Sequence, residues 1–205
     1  MSTRALTPSY PVETARLLLR PIDPASDVDA LHAYQSLPEV CRYIPYEPRT
    51  RDEVAARLAD PAKVRSTLTE PGQAMNLAVE IKETGLVAGD VMIFWSDETN
   101  AEIGYVIHPD CQGKGIATEA AAALLRLAFD PDHGLGVHRV VARIDQRNPA
   151  SAAVLTKIGM RQEAVLVENE WFKGEWSTEV DFAILAREWR SASSGSGRLR
   201  SMDRP

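Results

Sequence analysis

The rhythm of apolar residues changes at His108, and that change limits the fold more than any other feature of the chain. Before it, three strand-like runs, "QAMNLAVEI", "LVAGDVMIFW" and "AEIGYVIH", are joined by "KETG" and "SDETN". Connections that short demand antiparallel neighbours. After it, Ile116, Ala120, Leu124, Leu127 and Ala128 recur at helical spacing until Pro131 and Gly134, and "HRVVARID" returns to strand patterning. A helix placed between neighbouring strands makes them parallel. The strands ending at His108 and Asp145 are therefore expected side by side and pointing the same way. Ligands in α/β sheets favour the carboxyl ends of such strands, and here those ends carry "QGKGIA" and "RNPAS".

The remaining segments fill in a single domain. "TARLLLRPI" alternates and stops at Pro21, which gives a short first strand. Ser26 with Asp29, and Thr50 with Glu53, have the spacing of capping boxes, so helices are expected from about Asp27 and Arg51. A helical restart is expected at Asp60-Pro61. The helix "PASAAVLTKI" closes at Gly159, and two last strands run through "RQEAVLVENEWF" and "WSTEVDFAIL". The expected fold class is mixed α/β: a mostly antiparallel, seven-stranded sheet with helices on both faces and one parallel pair. The domain is placed at residues 13–190, between a flexible segment over 1–12 and a Ser/Gly/Arg-rich, disordered tail over 191–205.

Charge and cysteine content remove several function classes. Acidic residues outnumber basic ones by 29 to 23, a formal charge of -6 that argues against a surface tracking nucleic-acid phosphates. Cys41 and Cys111 lack paired spacing, and His32, His133 and His138 lack ligand spacing, so neither a disulfide framework nor a metal site is suggested. "MSTRALTPSY" has no signal-like apolar run, and no stretch approaches the about 18 apolar residues of a membrane span. A soluble cytoplasmic protein without a membrane partner is the expectation.

A strand leading through glycines into a helix N-terminus presents unpaired amides and the positive end of a helix dipole, which suits phosphate or pyrophosphate. The same letters also suit an ordinary tight turn. The nucleoside-triphosphate loop fails on spacing, because Lys114 lies between Gly113 and Gly115. A dinucleotide fingerprint fits poorly, with Thr118 at its third glycine position and at least three strands before it. "QGKGIA" instead resembles the Gln/Arg-x-x-Gly-x-Gly/Ala signature of the GNAT superfamily of acetyl-CoA-dependent N-acyltransferases, with Gln112, Gly115 and Ala117 at its fixed positions. The likeness extends through "TARLLLRP", "AEIGYVIHPDCQGKGIATEA", "NPASAAVLTKIGM" and "FKGEWSTEVDFAIL", and is strongest to the branch holding ribosomal-protein N-terminal alanine acetyltransferases. The resemblance implies that Gln112, Gly113, Lys114, Gly115, Ile116, Ala117 and Thr118 hold the pyrophosphate of acetyl-CoA. It further implies that the backbone at Tyr105, Val106 and Ile107 pairs with the pantetheine arm, inside a gap where the parallel strands splay.

Moving an acetyl group from a thioester to an amine needs a neutral amine, a stabilised oxyanion and a proton for the departing thiolate. Alternation puts Glu102, Gly104, Val106 and His108 on one strand face. Glu102 fits an ordinary solvated position; the resemblance makes it a candidate base acting through water. Asn148 before Pro149 is a favoured helix cap, and the resemblance adds a cofactor contact. Ser151 shares the apolar stripe of Val154, Leu155 and Ile158. Its hydroxyl either bonds back to its own helix or, by resemblance, lies near the sulfur. Many family members carry an acidic tyrosine seven residues beyond the asparagine, where this chain has Leu155. Cys111 and His108 are read as incidental to the chemistry. Trp171 and Trp176 are either a cross-strand aromatic pair or part of an acceptor-recognition hairpin. The expected activity is direct transfer to a primary amine, a protein N-terminus or a small molecule. A non-catalytic acyl-CoA-binding module is the alternative, and the oligomeric state stays open, although homodimers are common in the family.

Overall fold

A computed structural model describes residues 5–191. Eight strands form one sheet: β1 (Val12–Glu13), β2 (Leu17–Pro21), β3 (Ala74–Ile81), β4 (Val87–Trp95), β5 (Asn100–Ile107), β6 (Arg139–Asp145), β7 (Arg161–Phe172) and β8 (Glu175–Leu185). Their spatial order is β1-β2-β3-β4-β5-β6-β8-β7. Every neighbouring pair is antiparallel except β5 with β6. The strand beyond the seven expected is β1, whose two residues pair with Leu19 and Leu18 and are too few for alternation to show in a sequence.

Helices α1 (Val28–Gln35), α2 (Pro38–Cys41), α3 (Arg51–Leu58), α4 (Ile116–Phe129) and α5 (Pro149–Lys157) flank the sheet. At α3 the capping box forms as expected: Thr50 accepts from the Glu53 amide and Glu53 accepts from the Thr50 amide. At α1 it does not. Asp27 takes the cap position, and its carboxylate accepts from Arg20 at 2.7 and 2.9 Å, while Ser26 donates to Asp23 and Asp29 pairs with Arg51. Charge-assisted bonds to a guanidinium are stronger than a neutral cap, and the box residues go elsewhere. The restart at Asp60-Pro61 is a turn rather than a helix, because the Asp60 carboxylate accepts from the Ala62 amide and closes the chain on itself.

The two sheet faces carry separate cores. One buries α4 through Ala120, Ala121, Ala123, Leu124, Leu125 and Ala128 against Leu77, Val91, Ile93 and Ile103, with Leu155 and Ile158 of α5 in the same cluster. Four alanines on one helical face let α4 lie close to the strands. The other face packs Leu31, Tyr34, Val54 and Leu58 of α1 and α3 on Ala78. The described part of the segment before residue 13 is packed rather than loose: Leu6 is 1% exposed, exchanges backbone bonds with Leu68, and is followed by Tyr10, whose hydroxyl donates to Ser66. A single buried leucine among prolines gives no periodic signal, so sequence patterning passes over it. Residues 192–205 of the expected tail lie outside the described residues.

Candidate active site

The parallel pair opens partway along its length. Asn100, Ala101 and Glu102 pair with Arg139, Val140 and Val141, and there the ladder stops, although β5 continues to Ile107 and β6 to Asp145. Each strand stays paired on its far side, β5 with β4 through Ile107 and β6 with β8 through Asp145. A wedge with main-chain edges on both walls is left between them. An extended ligand can satisfy such edges as an added strand does.

Alternation decides which groups look into that wedge. The Val106 carbonyl is turned to β4, where a Cβ on Gly89 would stand 2.1 Å from it. Only glycine fits there. The Val106 backbone, expected from the resemblance to meet the pantetheine arm, is therefore directed away from the wedge. Tyr105 and Ile107, one residue to either side, turn their main-chain groups the other way. Ile107 already has a partner, since the Gln112 side-chain amide donates to its carbonyl at 2.9 Å. This contact pins the loop to the end of β5.

The loop delivers the chain into α4 through Gly113 and Gly115, at φ of 71° and 79°. Gly115 caps the helix in the left-handed region, and the first bond of α4 runs from the Glu119 amide to the Gly115 carbonyl. The amides of Ile116, Ala117 and Thr118 lie before that bond, at the positive end of a 14-residue dipole. The Ile116 side chain is buried in the core, which leaves its amide as the group facing outward at the helix start. Arg16 braces the assembly from the β1–β2 turn. It donates through Nη1 to the Lys114 carbonyl at 2.9 Å, and through Nε and its backbone amide to Glu119 at 2.7 Å each, where Thr14 also donates. Nothing local in the sequence marks Arg16, because its partners lie about a hundred residues on.

Across the wedge, Asn148 caps α5 by accepting from the Ser151 amide at 3.0 Å. Ser151 meets Tyr105: the phenol oxygen is 2.8 Å from the Ser151 hydroxyl and 3.1 Å from its carbonyl. This contact joins β5 to α5, the two walls, on the sheet face that carries α4. Burial raises the Tyr105 phenol to about 12. Leu155, where many family members carry a tyrosine, is fully buried in the core.

Glu102 occupies the other face, at the last paired position before the strands part. Its carboxylate pairs with Arg143 of β6, which also reaches Asp181 at 3.7 Å. Glu179, beside Asp181 on β8, is raised by desolvation and by the Asp181 charge. The structure thus brings Tyr105, Asn148 and Ser151 together on one side and holds Glu102 on the other. Arg143 is a partner that sequence reading missed; its place two residues beyond Val141 in the parallel register is the signal that finds it.

A hairpin overhangs the Glu102 face. Lys173 and Gly174, at φ of 50° and 82°, make the two-residue turn between β7 and β8. Trp171 and Trp176 pair across it with centroids 5.4 Å apart and edge-on rings, both more than half exposed. The cross-strand aromatic pair is therefore present. Lys173 Nζ donates to the carbonyls of Cys41 and Tyr46 at 2.7 Å each. Arg147 bridges Asp145 and Glu175, at 2.6 and 2.5 Å, and lies over the Tyr43 ring. The loop after α2, the hairpin tip and the turn after β6 are thereby tied together. Among the described residues no group of side chains suited to a metal ion occurs, and no helix is long and apolar enough to cross a membrane.

Comparison with known proteins agrees with this geometry. Residues 16–161 match the family described as "Acetyltransferase (GNAT) domain". The N-acetyltransferase p20 of Bacillus licheniformis is 33% identical over 178 residues, covering 86% of this chain and 96% of that protein. A crystal structure of a GNAT-family acetyltransferase from Bacillus anthracis superposes with a TM-score of 0.75 at 29% identity, covering 86% of this chain and 98% of that one. The alanine N-acetyltransferase of ribosomal protein uS5 from Escherichia coli is 29% identical over 87 residues, 42% of this chain and 43% of that protein. The open parallel pair, the glycine-capped helix at its end and the matches across most of the chain lead to one conclusion: the protein belongs to the GNAT family and is an acetyl-CoA-dependent N-acetyltransferase.

Proposed function

We propose that the protein transfers acetyl from acetyl-CoA directly to a primary amine presented on the Glu102 face of the wedge, with a protein N-terminal α-amine as the first candidate acceptor. The observation that supports it is the early end of β5–β6 pairing at Glu102 and Val141, with Tyr105 and Ser151 on one side and Glu102 on the other. In this reading the amides from Gly113 to Thr118 bind the pyrophosphate, the main-chain groups of Tyr105 and the amide of Ile107 align the pantetheine arm while the Ile107 carbonyl stays with Gln112, and Asn148 fixes the start of the opposite wall. Glu102 takes a proton from the amine through water. Ser151 faces the sulfur. The amine nitrogen attacks the thioester carbon to form a tetrahedral adduct, whose collapse breaks the carbon–sulfur bond and sends the electron pair to sulfur, and the amide product leaves on the acceptor side.

The preference for an α-amine rests on chemistry and on relatedness. An α-amine, at about 7.7 to 8.0, loses its proton near neutral pH far more readily than a lysine at about 10.4. The base acting on such an amine can therefore be modest. The match to the uS5 alanine enzyme covers less than half of each chain, so a small-molecule amine is the alternative acceptor. Trp171 and Trp176 supply aromatic faces at the hairpin tip for either kind of cation.

Two measurements test this. Acetyl-CoA and CoA should stabilise the fold by about 2.7 kcal/mol at a hundredfold excess over Kd and so raise the melting temperature, whereas NAD should leave it unchanged. Thiol release should follow with peptides beginning in alanine. Turnover confined to small amines would move the acceptor assignment, and stabilisation by NAD alone would remove the whole reading.

A further inference from the structure

With Leu155 in place of the usual tyrosine, the helix α5 carries no acid for the departing thiolate beyond Ser151. An alcohol is a poor proton source on its own, because giving up its proton leaves an alkoxide. The fold places a phenol against it. Tyr105 Oη lies 2.8 Å from Ser151 Oγ and 3.1 Å from the Ser151 carbonyl, and these bonds join the two walls of the wedge. A phenol has one proton to give. When it donates to the carbonyl, the serine proton is free to be taken up by the phenol oxygen. When it donates to Oγ, the serine proton is released to point into the wedge.

We infer that Tyr105 is the positioning residue that aims the Ser151 hydroxyl at the CoA sulfur and replaces the proton Ser151 gives up. The inference rests on the acetyl-transfer reading above. As the carbon–sulfur bond breaks, its electron pair moves to sulfur. Ser151 passes its proton to sulfur to give the free thiol, and Tyr105 passes its own to Ser151 Oγ. The resulting phenolate recovers a proton from solvent, which matches the proton shed by the amine on the other face. Burial raises the phenol to about 12, so it enters each turnover protonated across the neutral range while remaining far more acidic than an alcohol.

The test uses hydroxylamine as acceptor, since it is neutral at pH 7 and needs no shaped acceptor pocket. Single-turnover thiol release from acetyl-CoA is measured for wild type, Tyr105→Phe, Ser151→Ala and the double variant, with acetyl-CoA affinity and melting temperature alongside. Each single variant should slow release on the order of 10²-fold without changing acetyl-CoA affinity. The double variant should be no slower than Ser151→Ala, because both act in one relay. A wild-type rate in Tyr105→Phe, a loss expressed only in affinity, or additive losses in the double variant would each overturn the relay. If wild type itself does not accelerate the reaction, acetyl transfer at this site fails instead. Should Tyr105→Phe not fold, fluorotyrosine at position 105 replaces it. Its more acidic phenol should draw the alkaline limb of the rate profile to lower pH, and an unmoved limb counts against the relay.

Discussion

At the scale of single residues, the site divides between groups that alternation reveals and groups that only tertiary contact reveals. Glu102 is of the first kind, since strand periodicity alone puts it on the face of Val106 and His108, and the structure keeps it opposite Tyr105. The Tyr105 phenol is of the second kind. Its partner is 46 residues away, and from sequence it shows as a strand aromatic whose backbone matters. The assignment of Glu102 predicts that Glu102→Gln lowers kcat about 10²-fold with an alanine-terminated peptide, while acetyl-CoA affinity holds. Raising the pH from 7 to 9 should restore part of that loss, because more of the α-amine is then neutral without help. Steady-state rates across this range decide it: an unchanged kcat at pH 7 would leave Glu102 as a structural partner of Arg143.

At the scale of elements, legibility followed the length of the connections. Four- and five-residue turns forced β3, β4 and β5 to be antiparallel, and the helix between β5 and β6 forced the parallel step; all of these are local facts. What stayed hidden depends on competition between distant groups. The capping box at Ser26 gave way to the Arg20–Asp27 pair, and the loop opening α4 proved to be braced by Arg16. That brace separates two ways of damaging the loop. Gly115→Val puts a branched side chain at φ 79°, 3.3 Å from the Arg16 guanidinium, and should weaken acetyl-CoA binding at least tenfold while also lowering the melting temperature. Arg16→Ala leaves the backbone path intact but frees the Lys114 carbonyl and removes the Nε bond to Glu119, which keeps Thr14 and the residue-16 amide as donors. Its expected effect is a smaller loss of acetyl-CoA affinity, with kcat at saturation preserved. Calorimetric titration of both variants checks the order, and normal affinity in Gly115→Val would show that the loop does not hold the cofactor.

At the scale of the whole molecule, the sheet is two pieces joined across a short seam. β1 to β5 and β6 to β8 meet through three paired positions in the sheet, and α4 spans the seam by packing on β2, β4, β5 and β6. The seam is where the ligand is proposed to sit, so stability must come from the pieces on either side. This gives the N-terminal segment a weight its composition does not suggest. Leu6 belongs to the same buried cluster as Leu68, Met75 and Trp95, and its backbone bonds with Leu68 tie residues 5–12 to the larger piece. If the domain began at residue 13, as composition suggested, trimming this side chain would be silent. Removing a fully buried leucine side chain instead costs about 2 to 5 kcal/mol, depending on how far the cavity collapses. For a domain of this size each kcal/mol moves the melting temperature by roughly 2 to 4 °C. Leu6→Ala is therefore expected to melt about 4 to 20 °C below wild type by calorimetry, and a melting temperature within a degree of wild type would return the boundary to residue 13.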